Sequence, residues 1–287
     1  MFSATVFTLL QTAKKSIDFL DAQLILSYIL KKPREFFLSH PEYPVNFFQR
    51  LRFNTLISRR KKNTPLAYIT GQKEFFGYDF YVNKHTLVPR PDTEILVENV
   101  LKNIKNSKKE ITLIDIGTGS GCIPITLCKT IKNTYPQLLL QTFATDISKK
   151  TLKVAQKNAQ RHDINIQFFT GNLLQPILKR TNDLKKKHIL LTANLPYLTQ
   201  EQFEQEPSIQ QEPKRALVAP DHGLALYKEL LIQIQISKLT VTAWFEIDPS
   251  QTHLLSNSIR TIFPLAPISV IQDLAGQDRV IQWTNIL

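Results

Sequence analysis

Three glycines within five positions, in Asp115-Ile-Gly-Thr-Gly-Ser-Gly121, constrain this chain more than any other feature. The apolar run Ile111-Thr-Leu-Ile-Asp-Ile116 precedes them and a segment of helical texture follows, so the stretch reads as strand, tight turn and helix. Glycine tolerates positive φ and close backbone approach without steric cost. The chain keeps only 8 glycines in 287 residues, well under the usual share of about 7%. Each one retained is therefore expected to have a backbone reason.

Around this turn, strands and helices alternate from about residue 91 onward. Strands are expected at 111–116, 138–146, 166–169, 188–193, 241–247, 268–271 and 279–283, with a helix over 148–162. That alternation implies an α/β fold built on an open, mostly parallel seven-stranded sheet, with ligands at the carboxyl ends of its strands. Residues 1–73 read instead as a small helical bundle domain. Val6, Leu9, Leu10 and Ala13 follow helical spacing, and Leu20, Leu24 and Tyr28 continue it at fours. A further helix is expected over 45–61. The aromatic, β-branched stretch 75–82 suggests a hairpin turning at Gly77-Tyr-Asp79. The expected division is 1–73, a β-hairpin linker over 74–90, and the α/β domain over 91–287.

Composition excludes other classes. With 43% hydrophobic and 21% charged residues, the chain is neither disordered nor low-complexity. No apolar run approaches the ~18 residues of a membrane span. The first lysines, Lys14 and Lys15, follow the apolar opening rather than precede it, the wrong order for a signal peptide. Cys122 and Cys128 fall on one expected helix, too far apart for a disulfide, which suits a reducing cytoplasm. The formal charge of +12 suits an acidic partner or simply a lysine-rich proteome. Basic residues are not interleaved with aromatics as single-strand binding requires. The histidines show no metal-ligand spacing, so no metal is expected.

Several turn chemistries can be compared with the glycine cluster. A dinucleotide fingerprint needs glycine where Cys122 stands, a P-loop needs a lysine before Lys129, and a nucleophile elbow needs Ser120 in another frame. A tight turn with no ligand is the plain alternative. The remaining pattern, Asp-x-Gly-x-Gly-x-Gly, resembles motif I of class I S-adenosylmethionine-dependent methyltransferases, whose fold is Rossmann-like. Asp146, ending the second strand, can accept both ribose hydroxyls or simply cap the next helix, although Ser148 fills that role. Asn172 follows the third strand, where related enzymes usually hold an aspartate against the adenine amino group. Its side-chain oxygen can accept the same hydrogen bond without the charge.

Asn194-Leu-Pro-Tyr197 directly follows the fourth strand. It resembles the Asn-Pro-Pro-Tyr motif of methyltransferases that act on planar amino groups. An amide nitrogen is a poor nucleophile. Asn194 and a backbone carbonyl, here that of Leu195, can accept its two N–H bonds and support the charge it gains, while Tyr197 packs on the flat group. The alternative is a strand-end turn that happens to hold Asn and Pro. Leu195 replaces the motif's proline, keeping the carbonyl but adding an N–H.

Pro65-Leu-Ala-Tyr-Ile-Thr-Gly-Gln-Lys-Glu-Phe-Phe-Gly77 and Leu87-Val-Pro-Arg-Pro-Asp-Thr-Glu94 extend the similarity, as do Glu212-Pro213, Asp221-His-Gly-Leu224, Tyr227, Phe245-Glu-Ile247, Gln251 and Gln272–Val280. Taken together, the chain resembles the HemK/PrmC family over nearly its whole length. That resemblance implies N5-methylation of the glutamine in the Gly-Gly-Gln motif of class I peptide chain release factors, by a cytoplasmic enzyme with the N-terminal domain as docking element. It implies S-adenosylmethionine on Gly117, Thr118, Gly119, Ser120, Gly121, Asp146, Asn172 and Asn194. The glutamine would lie on Asn194, Leu195, Pro196 and Tyr197, with Asn194 and Tyr197 catalytic. A monomer with no nucleic-acid requirement is expected. The rival readings are a ribosomal-protein glutamine methyltransferase, a nucleic-acid amino methyltransferase, and a binding protein without catalysis. Pro89, Arg90, Thr93 and Glu94 line the cofactor pocket or hold the linker, or else Pro91 starts a helix with Asp92 and Glu94 complementing its dipole; the four are left outside the expected site. Asp248 stands where the family usually has glycine.

Overall fold

A computed structural model describes residues 4–104, 110–181, 184 and 187–285. Met1-Phe-Ser3, part of the opening read for a leader, lies outside the described residues. The chain divides into two units: the described residues up to Gln72 with Pro207–Gln211, and Lys73–Glu206 with the chain from Glu212 on.

In the first unit, β1 (Ala4–Thr5) pairs antiparallel with β2 (Pro44–Val45). Five helices accompany them: α1 (Val6–Ala13), α2 (Phe19–Leu30), α3 (Arg34–Ser39), α4 (Phe47–Lys61) and α5 (Leu66–Thr70). Local chemistry sets the ends. Thr5 and Asn46 open α1 and α4 with reciprocal capping boxes, and Asp18 accepts the Leu20 N–H at the start of α2. Val6, Leu9, Leu10 and Ala13 are buried as their spacing predicts. The helix expected through Leu20, Leu24 and Tyr28 forms as α2, whose buried residues are Ala22, Gln23, Ile25, Leu26 and Ile29. The helix is apolar on nearly every side, so two helical stripes satisfy the same periodicity. Packing against Phe37 and Phe53 selects one, and Tyr28 accepts a hydrogen bond from Arg52 at its edge.

Next along the chain, β3 (Gln72–Phe75), all but its first residue in the second unit, and β4 (Tyr78–Tyr81) form a hairpin. Its turn is Phe76-Gly77, one residue earlier than expected, with φ of +53° and +76° at the two residues. A two-residue turn of this hand needs positive φ at both positions. Phe76 is held there because its N–H donates to Glu94 Oε1 at 2.9 Å.

The large sheet follows. Its strands are β5 (Glu110–Ile116), β6 (Leu139–Asp146), β7 (Gln167–Thr170), β8 (His188–Ala193), β9 (Thr240–Glu246), β10 (Ile268–Gln272) and β11 (Asp278–Thr284). The spatial order is β10-β11-β9-β8-β5-β6-β7, parallel except where β11 runs against β9 and β10. This is the expected class I methyltransferase architecture. Helix α6 (Thr93–Ile104) precedes β5, α7 (Cys122–Thr134) and α8 (Lys149–Arg161) follow β5 and β6, and short α9 (Gln175–Leu178) and α10 (Gln200–Gln205) come next. The set closes with α11 (Ala225–Ser237) and α12 (Thr252–Ile262).

Adjacent residues on each central strand face opposite sides of the sheet. Ile114, Leu191 and Phe245 join a core with Tyr227, Leu230 and Leu255. Leu113, Leu190 and Trp244 join one with Leu96, Val97 and Ile125, which also takes in Phe75 and Phe80 of the hairpin. Burial on both faces explains why these strands read as unbroken apolar runs. Register then builds the functional edge. Ile116 pairs with both Thr145 and Ala193, and Ala193 with Phe245. Gly117, Asp146, Asn194 and Glu246, each the next residue, therefore stand together where the strands end. No described helix is long and apolar enough to cross a membrane.

Candidate active site

At that carboxyl edge lies a cavity of about 310 Å³, mostly apolar, lined by the glycine turn, Asp146, Asn172 and Asn194-Leu-Pro196 among others. Its size is that of a small-molecule site.

The three glycines of the turn have three different reasons. All take positive φ, at +71°, +56° and +81° for Gly117, Gly119 and Gly121. A Cβ on Gly117 would stand 2.8 Å from Leu195 Cδ2, so the absent side chain makes room for the Asn194-Leu-Pro-Tyr loop. A Cβ on Gly121 would meet Ile125 at 2.9 Å and Ala155 at 3.3 Å, so here the requirement is helix packing. A Cβ on Gly119 would meet only the Gly117 carbonyl oxygen, at an ordinary 3.9 Å, so this position needs glycine for its φ alone. Thr118 and Ser120 line the cavity as expected, whereas Gly121 does not. Asp115 is fully buried, accepts the Thr192 hydroxyl at 2.6 Å, and has its carboxyl pushed up to about 7 by burial. It braces the turn from behind.

Asp146 spends one backbone N–H on each oxygen, from Gly119 at 3.2 Å and Ser148 at 2.8 Å. A carboxylate has about four acceptor positions, so capacity remains toward the cavity for a pair of hydroxyls. Burial raises its carboxyl above the ordinary aspartate value. Asn172 donates its Nδ2 to Glu229. The described residues thus fit a nucleoside-bearing cofactor: backbone without side chains at the turn, an acidic strand end, and an amide beyond the third parallel strand.

Asn194 donates Nδ2 to Thr93 Oγ1 at 3.1 Å, which turns its Oδ1 the other way. The N–H that Leu195 carries in place of proline is satisfied. It donates to the Tyr227 hydroxyl at 3.1 Å, and that hydroxyl donates in turn to the Glu246 carbonyl. The departure from the expected motif therefore leaves no buried donor unpaired. Pro196 lines the cavity, while Tyr197 stands off it with its hydroxyl donating to Glu246 Oε1 at 3.4 Å. Burial, then the Glu246 charge, raise the Tyr197 hydroxyl above the ordinary phenol value. Glu246 is itself buried, and burial pushes its carboxyl up to about 7.

Other residues hold the loops in place. Gln251 Nε2 donates to the carbonyls of Tyr197 and His222, each at 2.7 Å. Gly223 is the point of contact, for a Cβ there would fall 1.9 Å from the Tyr197 carbonyl oxygen. Glu212 pairs with Arg90 and accepts the Val88 N–H at 2.9 Å. Fully buried Asn158 binds Ser120 and both backbone groups of Tyr81, fastening the hairpin to the glycine turn. Pro89, Arg90 and Thr93, left outside the expected site, line the cavity, and Glu94 holds the hairpin. The sequence signal for Glu246 was available: a carboxylate ending the otherwise apolar run Val241–Phe245. Asn158 carried none. Asp248 has an ordinary φ of −73° and caps the turn Pro249–Gln251 through the Ser250 N–H, so glycine is not required there.

Comparison with known proteins shows the family of the chain. A model described as the PrmC N-terminal domain matches residues 5–71, and one for the methyltransferase small domain matches 91–195. The release factor glutamine methyltransferase of Enterococcus faecalis is 39% identical over 75% of this chain and 74% of its own. That of Bacillus subtilis is 33% identical over 91% of this chain and 89% of its own. Among solved structures, the hMettl16 catalytic domain, a human protein, superposes with a TM-score of 0.54 at 15% identity, covering 83% of this chain and 82% of that one, a likeness of fold. With a buried, glycine-floored cavity beside Asn194-Leu-Pro-Tyr197 and relatives matched at this identity and coverage, the chain belongs to the release factor glutamine methyltransferase family.

Proposed function

We propose that this protein transfers a methyl group from S-adenosylmethionine to the side-chain nitrogen of the glutamine in the Gly-Gly-Gln motif of class I peptide chain release factors. The observation that carries this reading is the Asn194 amide. Its Nδ2 is engaged by Thr93, so Oδ1 is the acceptor left to meet a substrate amide at the cavity. When bound, the cofactor supplies an electrophilic methyl carbon. Asn194 Oδ1 and the Leu195 carbonyl accept the two N–H bonds of the glutamine amide and aim its nitrogen. They also stabilise the positive charge that the nitrogen gains. Gly117, Thr118, Gly119 and Ser120 hold the cofactor with the Gly121 bend, Asp146 takes the ribose hydroxyls, and Asn172 takes the adenine amino group. Pro196 packs against the flat amide at the cavity, with Tyr197 behind it in the same loop, held by Glu246. The alkylated nitrogen is acidic, so no dedicated base is needed.

The N-terminal helical unit docks the protein substrate in this reading. In support, α4 leaves Phe47, Phe48 and Leu51 at 63%, 77% and 56% exposure, large apolar surfaces its own core does not use. The enzyme acts in the cytoplasm as a monomer and needs no nucleic acid.

The test supplies radiolabelled S-adenosylmethionine with purified release factor, ribosomal protein or tRNA as separate acceptors. Label is expected on release factor and lost when its Gly-Gly-Gln glutamine is replaced, with nuclease treatment having no effect. Label on nucleic acid alone, or label indifferent to that glutamine, refutes the reading. Asn194→Ala is expected to lower kcat about 10²–10³-fold while S-adenosylhomocysteine affinity changes far less.

A further inference from the structure

Behind Asn172 lies an arrangement that the catalytic reading does not use. Asn172 Nδ2 donates to Glu229 Oε1, and Gln233 Nε2 donates to the same oxygen at 3.1 Å. Glu229 and Gln233 are one turn apart on α11. Gln233 Oε1 accepts the Leu174 N–H at 2.9 Å, and the Gly171 N–H donates to the Asp146 carbonyl at 3.1 Å. The loop carrying Asn172 is therefore clipped on both sides, and its side chain borders the cavity.

Hydrogen-bond direction settles which way the amide faces. A carboxylate only accepts, so Asn172 must offer Glu229 its NH₂ group and turn Oδ1 away. Gln233 obeys the same constraint and is fixed at both ends. A carboxylate drawing on the NH₂ also polarises the amide and concentrates negative charge on its oxygen. Here the charge sits one residue further back and reaches the cavity through a neutral amide.

We propose that Glu229 is a positioning residue that locks and polarises Asn172, so that the pocket accepts a 6-amino purine and rejects a 6-oxo purine. This rests on the cofactor reading given under Proposed function. A corollary distinguishes it from a merely structural ion. An aspartate placed at position 172 sets two carboxylates against each other and damages binding, unless Glu229 is made neutral at the same time.

Calorimetry on the full-length protein with S-adenosylhomocysteine and S-inosylhomocysteine tests it, with melting temperature as the folding control. The intact protein is expected to prefer the adenosyl compound by about 100-fold or more, as sites built around one hydrogen bond do. Glu229→Ala lets the amide turn and offer NH₂ to a 6-oxo group, and the preference falls at least about tenfold. Asn172→Asp weakens adenosyl binding by about tenfold or more, and Asn172→Asp with Glu229→Gln recovers it to within about threefold, because the introduced amide donates to the introduced carboxylate. The Asn172→Asp pair carries the test should Glu229→Ala fail to fold. An unchanged preference in folded Glu229→Ala, or Asn172→Asp binding as well as the parent, overturns the inference. So does a parent protein that binds both compounds equally, and that result leaves the cofactor reading standing. A folded parent protein that binds neither compound refutes the cofactor reading itself.

Discussion

Gly223→Ala separates backbone strain from displacement of the acceptor loop. Gly223 has φ of +81°, where an alanine costs roughly 1–2 kcal/mol. Its Cβ would also fall 1.9 Å from the Tyr197 carbonyl oxygen and 2.4 Å from Gln251 Nε2. An ordinary C···O approach is about 3.3 Å, so one partner must move by roughly 1.4 Å. If the Gln251 clip breaks, its two hydrogen bonds add about 0.5–1.5 kcal/mol each, for a total near 2–5 kcal/mol. If Tyr197 moves instead, Asn194 and Leu195 shift with it, and an ångström of misplacement can cost about 10²-fold in rate. Gly276→Ala is the matched control, with φ of +76° and nothing within 4 Å of the added carbon. It should lose roughly 1–2 kcal/mol and keep full activity. Methyl transfer to purified release factor and thermal melts of both variants decide the matter. Turnover within threefold of the parent in Gly223→Ala together with a stability loss no greater than that of Gly276→Ala, or equal losses of turnover and stability in the two variants, refutes the role given to this contact.

Further predictions concern charge, thiols and the turn. The Glu246 carboxyl lies at about 7 in the fold against an ordinary 4.5. Between those values the folded state keeps a proton that the unfolded chain has released, so this group's contribution to stability falls as pH rises from about 4.5 to about 7. Asp115, raised from 3.8 to about 7, acts with the same sign. The melting temperature of Glu246→Gln relative to the parent should therefore climb through that window and then level. A difference that is flat or declining with pH refutes the assignment. Burial pushes the Cys122 thiol up to about 12 and that of Cys128 to about 11. Because the thiolate is the reactive form, neither should react with a disulfide reagent at pH 8 until the protein is denatured. Rapid labelling of the native protein contradicts this. Gly117→Ala collides with Leu195 Cδ2, so adding Leu195→Ala should recover part of the lost methyl transfer. No recovery would mean that the collision is not what Gly117 avoids.

Much of the fold was legible because the central strands are buried on both faces and so written as apolar runs between turn residues. Boundaries shifted by a residue or so, as at β5, which starts at Glu110 rather than Ile111. The buried face of α2 was not legible because Phe19–Leu30 is apolar on nearly every side, so periodicity admits two stripes and only the neighbouring helices choose between them. The hairpin turn moved to Phe76 because a distant carboxylate, Glu94, holds that amide, and no local rule favours phenylalanine at positive φ.

At the site, local chemistry marked the glycine turn, Asp146 and Asn194, since each sits at a strand end where pattern and spacing are visible. Thr93 and Tyr227 lay outside that logic. They act on Asn194 and Leu195 across 101 and 32 positions of chain. The sequence alone determined which backbone must bend at residues 117–121 and which polar groups stand at the strand ends, because those are properties of neighbours along the chain. Only the tertiary structure decided which way Asn194 and Asn172 face, how the Leu195 N–H is satisfied, and why Gly223 cannot carry a side chain. Each depends on a partner brought close by the sheet's register and the helices packed on it, and a hydrogen bond's direction exists only once both partners are in place.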